Sequence, residues 1–376
     1  MKTILFIACS LCICHCATAQ LLTAPFMPDS NSIDSLLRSM YRDSLPGVSL
    51  GIVYNGQEVF QKNYGVVNIA TQEKIKATSD FNIASLTKQF TAIAILQFEE
   101  QHKLSLTDKI SRFFPDMNKK VADVITIREL LTHSSGIIDH YDQADTRNLK
   151  HAHNIDVYNA IKTADSTYFV PGTQFRYSNT AYCLLALVIE KISGRSYNTY
   201  MQQNVFKPAG MLHTIIWNEK AVITNEVTGY ERDSASAKFS VSGPNEHIFF
   251  STEGDGGVYT SVNDYIKWYK ALQSGKVFSK NITGKARTIE YAISKESKVG
   301  YGFGWFVEEN DAARKVYHSG SNDGFRSFSF SMPSAGYLVI IFSNRDDIDL
   351  QTLAQKIVQL QWPAGKPFIM IEKLTS

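Results

Sequence analysis

A serine and a lysine three positions apart could form a nucleophile and its base. Ser85 and Lys88 open an apolar segment with helical spacing, and side chains three residues apart share one face of a helix. A lysine can take the serine proton only when burial or a nearby cation lowers its pKa from about 10.4. The helix N-terminus would also favour an oxyanion formed there. We therefore predict that Ser85 is a nucleophile activated by Lys88.

A second polar cluster, Tyr177-Ser178-Asn179, precedes an apolar helix that we predict from Thr180 to Ile192. The tyrosine could shuttle protons if the charge of Lys88 lowered its pKa from about 10. The asparagine amide could orient the lysine or a substrate carbonyl. Considered locally, a packed tyrosine and a helix-capping asparagine explain the same residues better. The functional interpretation is favoured only because Ser85 and Lys88 occur in the same chain.

A third group, His318-Ser319-Gly320, ends a strand candidate just before a turn at 322–324. Gly320 would let a substrate backbone approach the strand edge closely. A strand beside the nucleophile could pair with an extended substrate, and the N–H of Ser321 could join that of Ser85 as an oxyanion hole. The local alternative is an ordinary strand end that carries one histidine.

These groups need a scaffold, and the chain ends supply one. We predict a helix over residues 33–44, then two strands, Val48–Tyr54 and Glu58–Tyr64, around an Asn-Gly hairpin signal. Strands return at 315–318, 325–332 and 337–342, and a helix follows over 349–360. Between them the pattern is mainly helical from Ser85 to about Leu272.

This order predicts an α+β fold, in which an antiparallel sheet built from both chain ends carries flanking helices and a large, mainly helical insertion. We expect one hydrolase domain over residues 20–376. Its sheet lobe would comprise about 31–80 and 285–362, and its helical lobe about 81–284.

The amino-acid composition limits the kinds of molecule that the chain is expected to bind. The chain has 376 residues with 44% hydrophobic content, enough for a sizeable core. Its 38 Lys plus Arg nearly balance its 36 Asp plus Glu, so no long-range field gathers nucleic acid or an anionic membrane. We expect a small-molecule or peptide substrate, with the cell wall as one candidate source, and no nucleic-acid partner.

The first nineteen residues have the pattern of a secretory signal, with Lys2, an apolar run over 4–14 and a small-residue site ending at Ala19. We predict cleavage after Ala19 and a soluble mature protein in the periplasm or outside the cell, without a transmembrane helix. Cleavage would leave Cys183 as the only cysteine, so no internal disulfide could form. A lipoprotein acylated at Cys9 is the alternative, although its apolar core would be unusually short.

Taken together, the order Ser-x-x-Lys, Tyr-x-Asn and His-x-Gly resembles the serine β-lactamase and penicillin-binding-protein superfamily. The resemblance covers roughly residues 33–345 and implies a covalent acyl-enzyme on Ser85, with no metal or organic cofactor. Four further stretches look like that family: Leu130 to Gly136, Pro208 to Met211, Gly254 to Tyr259 and Tyr301 to Trp305.

Within that superfamily the chain looks closest to the class C-like branch with esterases and D-aminopeptidases. Members that hold a penicillin carboxylate generally have Lys where this chain has His318, and a histidine with an unperturbed pKa near 6.5 is mostly neutral at pH 7. A Glu-x-x-x-Asn segment like that of class A enzymes is also missing. The resemblance therefore implies an ester, amide or peptide substrate, including D-amino-acid peptides.

We expect Lys88 and Tyr177 to share the role of general base, and the N–H groups of Ser85 and Ser321 to hold the oxyanion. Asn179 would orient Lys88 and the substrate. His318 would shape the leaving-group side of the site or assist deacylation.

Four alternatives compete with this hypothesis. Two use the same site: an inactive relative that only binds peptidoglycan or peptides, and a true β-lactamase. A third is an α/β-hydrolase, since Gly47-Val48-Ser49-Leu50-Gly51 matches a nucleophile elbow, but Ser49 lies within a strand pattern rather than before a helix. The fourth, a metal hydrolase, lacks a ligand signature among its clustered histidines, which are His133, His140, His151 and His153.

Overall fold

The computed structural model of the chain describes residues 29–142, 150–243, 248–294, 296, 298–309 and 314–361. The predicted signal segment and its cleavage site lie outside the described residues. None of the described helices is long and apolar enough to cross a membrane.

The described part of the chain forms ten α-helices and thirteen strands. The helices are α1 (Ser30–Met40), α2 (Thr87–Glu100), α3 (Lys119–Ala122), α4 (Ile127–Leu131), α5 (Asn154–Ile161), α6 (Asn179–Ser193), α7 (Tyr197–Met201), α8 (Val262–Ser274), α9 (Lys280–Ala286) and α10 (Leu350–Gln361). The strands are β1 (Val48–Tyr54), β2 (Gln57–Tyr64), β3 (Phe81–Asn82), β4 (Ile215–Ile216), β5 (Gly229–Arg232), β6 (Phe239–Ser242), β7 (Val258–Thr260), β8 (Tyr291–Ser294), β9 (Val299–Tyr301), β10 (Phe306–Glu309), β11 (Arg314–Asn322), β12 (Phe325–Met332) and β13 (Tyr337–Ser343).

The main sheet has eight strands in the order β2-β1-β13-β12-β11-β10-β9-β8, and every pairing described in it is antiparallel. It joins strands from the two ends of the chain, because β1 lies between β2 and β13. The predicted α+β fold is therefore confirmed. Hairpin geometry explains the β1–β2 register, since Asn55 and Gly56 both have positive φ, as the tight turn predicted from their sequence requires.

The sheet lies between two hydrophobic cores. On one face, α1 and α10 pack against strand residues such as Leu50 and Ile341. On the other face, residues such as Ile340 and Phe342 join a larger core made with the helices of the insertion. The side chains of a strand alternate between its two faces, so the central strands read as continuous apolar runs, with β13 buried along its whole length.

Two predicted elements differ from the structure by more than two residues at an end, and some strands were not predicted. The first helix is Ser30–Met40 rather than 33–44, because Asp29 caps its start by accepting from Ser32 N at 2.9 Å and the backbone is extended at Tyr41. The strand predicted over 315–318 continues to Asn322, because β12 pairs with β11 as far as the Asn322–Phe325 pair. The helical insertion also contains two small sheets, β3-β7-β4 and β5-β6.

Candidate active site

The serine of the first motif lies in a strained turn between β3 and α2. A 3₁₀ turn over Ala84–Leu86 leads directly into the helix. Ala84 has φ of 47°, in the left-handed region, and its N–H donates to Asn82 Oδ1 at 2.9 Å. That conformation is unfavourable for a residue with a Cβ and tends to be found at functional sites. Ser85 is partly exposed, whereas Ala84 and Leu86 are buried.

Lys88 lies fully buried beneath this serine and makes three hydrogen bonds. Its Nζ is 3.1 Å from Ser85 Oγ, 2.8 Å from Asn179 Oδ1 and 3.0 Å from the carbonyl oxygen of Asp255. None of these partner atoms is a charged oxygen. Among the described residues no carboxylate forms an ion pair with Lys88. The amine therefore joins three separate segments of the chain at the proposed nucleophile.

Asn179 reaches Lys88 because its neighbour takes over the capping of α6. Ser178 is the N-cap residue, and its Oγ accepts from Ala181 N at 3.1 Å. The local interpretation in which Asn179 caps the helix is therefore wrong. With the cap supplied by serine, the amide oxygen of Asn179 is available to the lysine.

Tyr177 approaches Lys88 with the face of its ring. Lys88 Nζ lies 4.8 Å from the ring centroid, a cation–π distance. The hydroxyl of Tyr177 is buried and has no hydrogen-bond partner in the structure. The structure thus brings Tyr177 beside the serine–lysine pair, with its hydroxyl bonded to neither side chain. Catalytic hydrogen bonds are often loose before substrate binds.

His318 is buried on β11 with both ring nitrogens engaged. Nδ1 lies 2.6 Å from the carbonyl oxygen of Ser319, so it carries the proton, and Nε2 lies 3.0 Å from the Tyr301 hydroxyl, from which it can accept. Burial, reinforced by the positive charge of Lys88, lowers the pKa of His318 from 6.5 to about 3. The imidazole is therefore neutral at physiological pH.

Gly320 lets the strand touch the turn that carries the nucleophile. A Cβ at this position would collide with Ile83 O and Ser327 Oγ and would contact the Cβ of Ala84. Ser327 Oγ donates to Ile83 O at 2.7 Å and fastens the turn to the neighbouring strand. Any larger residue at position 320 would push the turn away from the sheet.

Beyond its contact with β10, the edge of β11 is open. Strand β10 pairs with β11 only as far as Tyr317, and no other described strand pairs with residues 318–322 on that side. Ser85, Asn179 and Ser321 line one small cavity of about 60 Å³ beside this edge. A second cavity of about 240 Å³ adjoins it and shares Tyr141, Ser321 and Asn322. Ser85, Asn179 and Ser321 therefore meet at one cleft, and Lys88 lies buried beneath Ser85.

Comparison with known proteins agrees with this geometry. A family model described as Beta-lactamase matches residues 33–360, which is most of the chain. The chain belongs to the β-lactamase family. The family and its structural relatives are serine hydrolases, and the predicted resemblance is confirmed.

Several individual proteins are similar to this β-lactamase-family chain. Protein flp of Staphylococcus aureus (strain NCTC 8325 / PS 47) is 29% identical over 317 residues, which cover 83% of this chain and 62% of that protein. Penicillin-binding protein 4* of Bacillus subtilis (strain 168) is 30% identical, with 78% and 66% covered. The chain thus spans about 62% of the length of the Staphylococcus relatives. A penicillin-binding protein structure from Bacillus halodurans has a TM-score of 0.75 at 26% identity, with 87% and 98% covered.

Sequence reasoning assigned no active-site role to His133, which supports the Tyr177 segment of this β-lactamase-family site. Its Nδ1 accepts from Ser178 N at 3.0 Å, so Nε2 carries the proton. The imidazole packs against the Tyr177 ring, with centroids 4.2 Å apart. Burial and the charge of Lys88 hold the pKa of His133 well below 6.5. The polar residues of the stretch from Leu130 to Gly136, which resembles the family, were the available signal.

Sequence reasoning likewise overlooked Asp255, whose carbonyl holds Lys88. A Cβ at Gly254 would collide with the backbone of Tyr182 in α6, so this glycine allows the segment to approach the helix. The Asp255 side chain is 5% exposed and lines the smaller cavity. An isolated acid among glycines, at 254–257, was the available signal in the sequence.

The residues of the alternative nucleophile elbow and of the alternative metal site make structural contacts in the fold. Ser49 is buried within β1, where its Oγ donates to Asn63 Oδ1 at 2.7 Å. His140 lies 2.9 Å from Thr180 Oγ1 through Nδ1, and His153 Nε2 lies 3.0 Å from a carboxylate oxygen of Glu219. In the ranges that the structure describes, no group of three or more potential ligands is arranged to hold a metal ion.

Proposed function

We propose that this chain hydrolyses an ester, amide or peptide bond through a covalent acyl-enzyme on Ser85. The observation that carries the proposal is the buried Lys88 amine, which lies 3.1 Å from the serine oxygen and is fixed by two neutral acceptors. A serine and a base within hydrogen-bonding reach, with the base itself oriented by further groups, form the arrangement of nucleophilic catalysis.

The surroundings of Lys88 suit its neutral form. A neutral amine has two N–H donors and one lone pair. In the structure Lys88 Nζ donates to Ser85 Oγ, Asn179 Oδ1 and the Asp255 carbonyl; a neutral amine would keep the last two contacts and turn its lone pair to the hydroxyl of Ser85. Lys88 can therefore accept the serine proton without losing the contacts that orient it.

The reaction then follows in two balanced steps. Ser85 Oγ bonds to the substrate carbonyl carbon while its proton moves to Lys88. The bond to the alcohol or amine breaks, and that leaving group takes the proton, with Tyr177 as the nearest relay. Water then attacks the acyl carbon, gives a proton to the lysine and releases the acid, and the proton returns to Ser85.

The oxyanion would be held by the backbone N–H groups of Ser85 and Ser321. Both residues line the cavity of about 60 Å³. Two preorganised donors stabilise the charge that develops in the transition state. The open edge of β11 beside them would receive an extended substrate.

Neutral His318 bears on the choice of substrate. Its ring nitrogens are engaged by Ser319 and Tyr301, which supports a role in shaping the leaving-group side rather than in proton transfer. Without a cation at position 318, a substrate carboxylate that reaches this part of the site finds no charge partner there. His318→Lys should therefore improve binding of carboxylate-bearing substrates, and an unchanged Kd for such substrates would contradict this charge argument.

A purified-enzyme panel tests the function. p-Nitrophenyl esters, D-amino-acid amides, D-Ala-D-Ala peptides and nitrocefin would be compared for the wild-type chain and Ser85→Ala. A fluorophosphonate should add once, at Ser85, as seen by mass spectrometry of the intact and digested protein. An unlabelled, inactive wild-type chain would instead support the peptide-binding alternative, and rapid nitrocefin turnover would support a true β-lactamase.

We also propose that the protein is exported, on the support of its N-terminal sequence. Mass spectrometry of the protein produced in a bacterial host should find Gln20 at the N-terminus. An N-terminus at an acylated Cys9 would support the lipoprotein alternative.

A further inference from the structure

Asp255 is a buried acid without a matching cation. Its side chain is 5% exposed, and its one described hydrogen bond is a weak one from the Cys183 thiol, at 3.4 Å from Sγ to Oδ1. No described Lys, Arg or His forms an ion pair with it. A buried carboxylate normally has a charged partner or several hydrogen bonds, since desolvation is otherwise costly. A ligand with a positive charge would supply such a partner.

Asp255 borders the cleft as well as the interior. Asp255 lines the cavity of about 60 Å³ together with Ser85 and Asn179. Its carbonyl oxygen and Ser85 Oγ both lie about 3 Å from Lys88 Nζ. The backbone of Asp255 is therefore close to the point at which a substrate carbonyl would be attacked, and the cavity that this residue lines is large enough for a small polar group.

This cavity lies on the acyl side of the scissile bond. The leaving group must receive a proton from the Lys88 and Tyr177 side of the site, where His318 also lies. Neither Tyr177 nor His318 lines the cavity that contains Asp255. An acyl group attached to Ser85 would thus extend past Asn179 and Ser321 into the space beside Asp255.

Among the described residues that line this cavity, Asp255 is the only acid and none is basic. Tyr141 lines the same cavity and contributes an aromatic face, and its ring packs against Phe249 with centroids 4.8 Å apart. A carboxylate next to aromatic rings is a typical environment for a protonated amine.

We infer that Asp255 binds the protonated amine of the substrate's acyl group, so that the site prefers aminoacyl esters and amides whose amine is free. The inference rests on the proposed hydrolase function and names its substrate class. The second cavity, which opens beyond Tyr141 and Asn322, would accommodate the remainder of the acyl group.

Kinetics with matched esters test this inference. The phenyl esters of D-alanine and L-alanine differ from phenyl propionate only by the amine, and all three release phenol. Asp255→Asn keeps the shape of the side chain and removes its charge. The ratio of kcat/KM for the better alanine ester to that for phenyl propionate should fall by about 10- to 100-fold, the range of a charge-assisted hydrogen bond.

Asp139→Asn is the matched control. It removes one negative charge from the same region, does not line the cavity and keeps an oxygen that can accept from Tyr141 N. The ester ratio should stay at the wild-type value in this variant. An equal fall in both Asp variants would show a long-range field effect and would overturn the inference. An equal loss of both esters in Asp255→Asn, which would indicate an effect on Lys88, would overturn it too.

A binding measurement separates this inference from the proposed function. Ser85→Ala would be titrated with alanine anilide and with propionanilide by calorimetry, and the amine-bearing ligand should bind more tightly only while Asp255 is present. Equal binding of the two anilides would refute the role of Asp255 even if the enzyme proves to be a hydrolase. Wild-type protein without turnover or Ser85 labelling would refute the hydrolase, whereas the anilide difference would still report on the amine site.

Discussion

The two walls of the cleft differ in their chemistry, although both contact the same lysine. On the leaving-group wall, Tyr177, His133 and His318 are packed among aromatic rings, and both imidazoles are neutral. On the acyl wall, Asp255 is a carboxylate beside the amide of Asn179. The two histidines of the first wall are neutral, whereas the second wall contains an acid.

Under the proposed function, this difference in charge assigns one step of the reaction to each wall. Proton relay to a leaving group is favoured by a dry environment without a second cation, because a charged imidazolium would repel Lys88 once the lysine has taken the serine proton. Recognition of an acyl group needs a fixed charge or hydrogen bond that tells one substrate from another. The comparison therefore predicts rate effects from one wall and specificity effects from the other.

The largest effect should come from Lys88, which lies between the walls. Lys88→Met keeps the length of the side chain and removes the base, so we expect a loss of about 10³-fold in the acylation rate, within the usual range for general-base catalysis. Stopped-flow acylation with a p-nitrophenyl ester gives this rate. Circular dichroism should show an unchanged fold, and a variant that acylates at the wild-type rate would remove Lys88 from the mechanism.

Tyr177→Phe should have the next largest effect and should depend on the leaving group. The change removes the hydroxyl but keeps the ring over Lys88. We expect about a 10²-fold loss in kcat for an amide, which needs a protonated leaving group, and a much smaller loss for a p-nitrophenyl ester. Equal losses for both substrates would mean that Tyr177 acts on the serine rather than on the leaving group.

A smaller effect on rate is expected at His133, where two substitutions separate its two contacts. His133→Phe keeps a ring beside Tyr177 but leaves the buried N–H of Ser178 without an acceptor, which costs about 1–3 kcal/mol of folding stability. His133→Asn keeps an acceptor and suits the φ of 57° found here. Urea unfolding should show Asn as the milder change. If kcat also falls in Phe and recovers in Asn, while KM stays constant, the hydrogen bond positions Tyr177.

The smallest effect on rate, and a distinct one on stability, should come from His318. The folded protein keeps this imidazole neutral down to about pH 3, whereas the unfolded chain takes up a proton near pH 6.5. The contribution of His318 to folding stability is therefore fully present above pH 6.5 and is lost as the pH drops toward 3. His318→Asn should reduce the slope of unfolding free energy against pH by about one proton in this window. An unchanged slope would mean that His318 is already charged in the folded protein.

The sequence indicated the fold well because its signals were local. Asn55-Gly56 demands a tight turn, and the alternation of buried and exposed residues in β2 agrees with one face on the core. Pairing of β1 with β13 came from the expectation that apolar strands at both chain ends share a sheet. The small sheets of the insertion were missed, because strands of two to four residues leave no periodic signal.

The residues of the candidate site likewise fall into those that local sequence signals predict and those that they do not. Ser85, Lys88 and Asn179 could be predicted, since their types and order are specific and a three-residue spacing fixes the first pair on one helix. The roles of Asp255 and His133 could not, because each reaches the site through contacts with segments remote in sequence, at Lys88 and at Ser178. Ala84 gives no sign of its left-handed conformation, since alanine is among the least typical residues there.

The pairing of β10 with β11 ends at Tyr317, and this limits the length of any chain that pairs with the rest of the β11 edge. Five residues of β11, His318 to Asn322, remain open along the cleft. At about 3.3 Å per residue they span roughly 16 Å, the length of four or five extended residues. The hairpin turn at Asp323-Gly324 ends that track, so a longer chain must leave the sheet there. Under the proposed function, this limit would favour chain ends and short peptides over the middle of a long polymer.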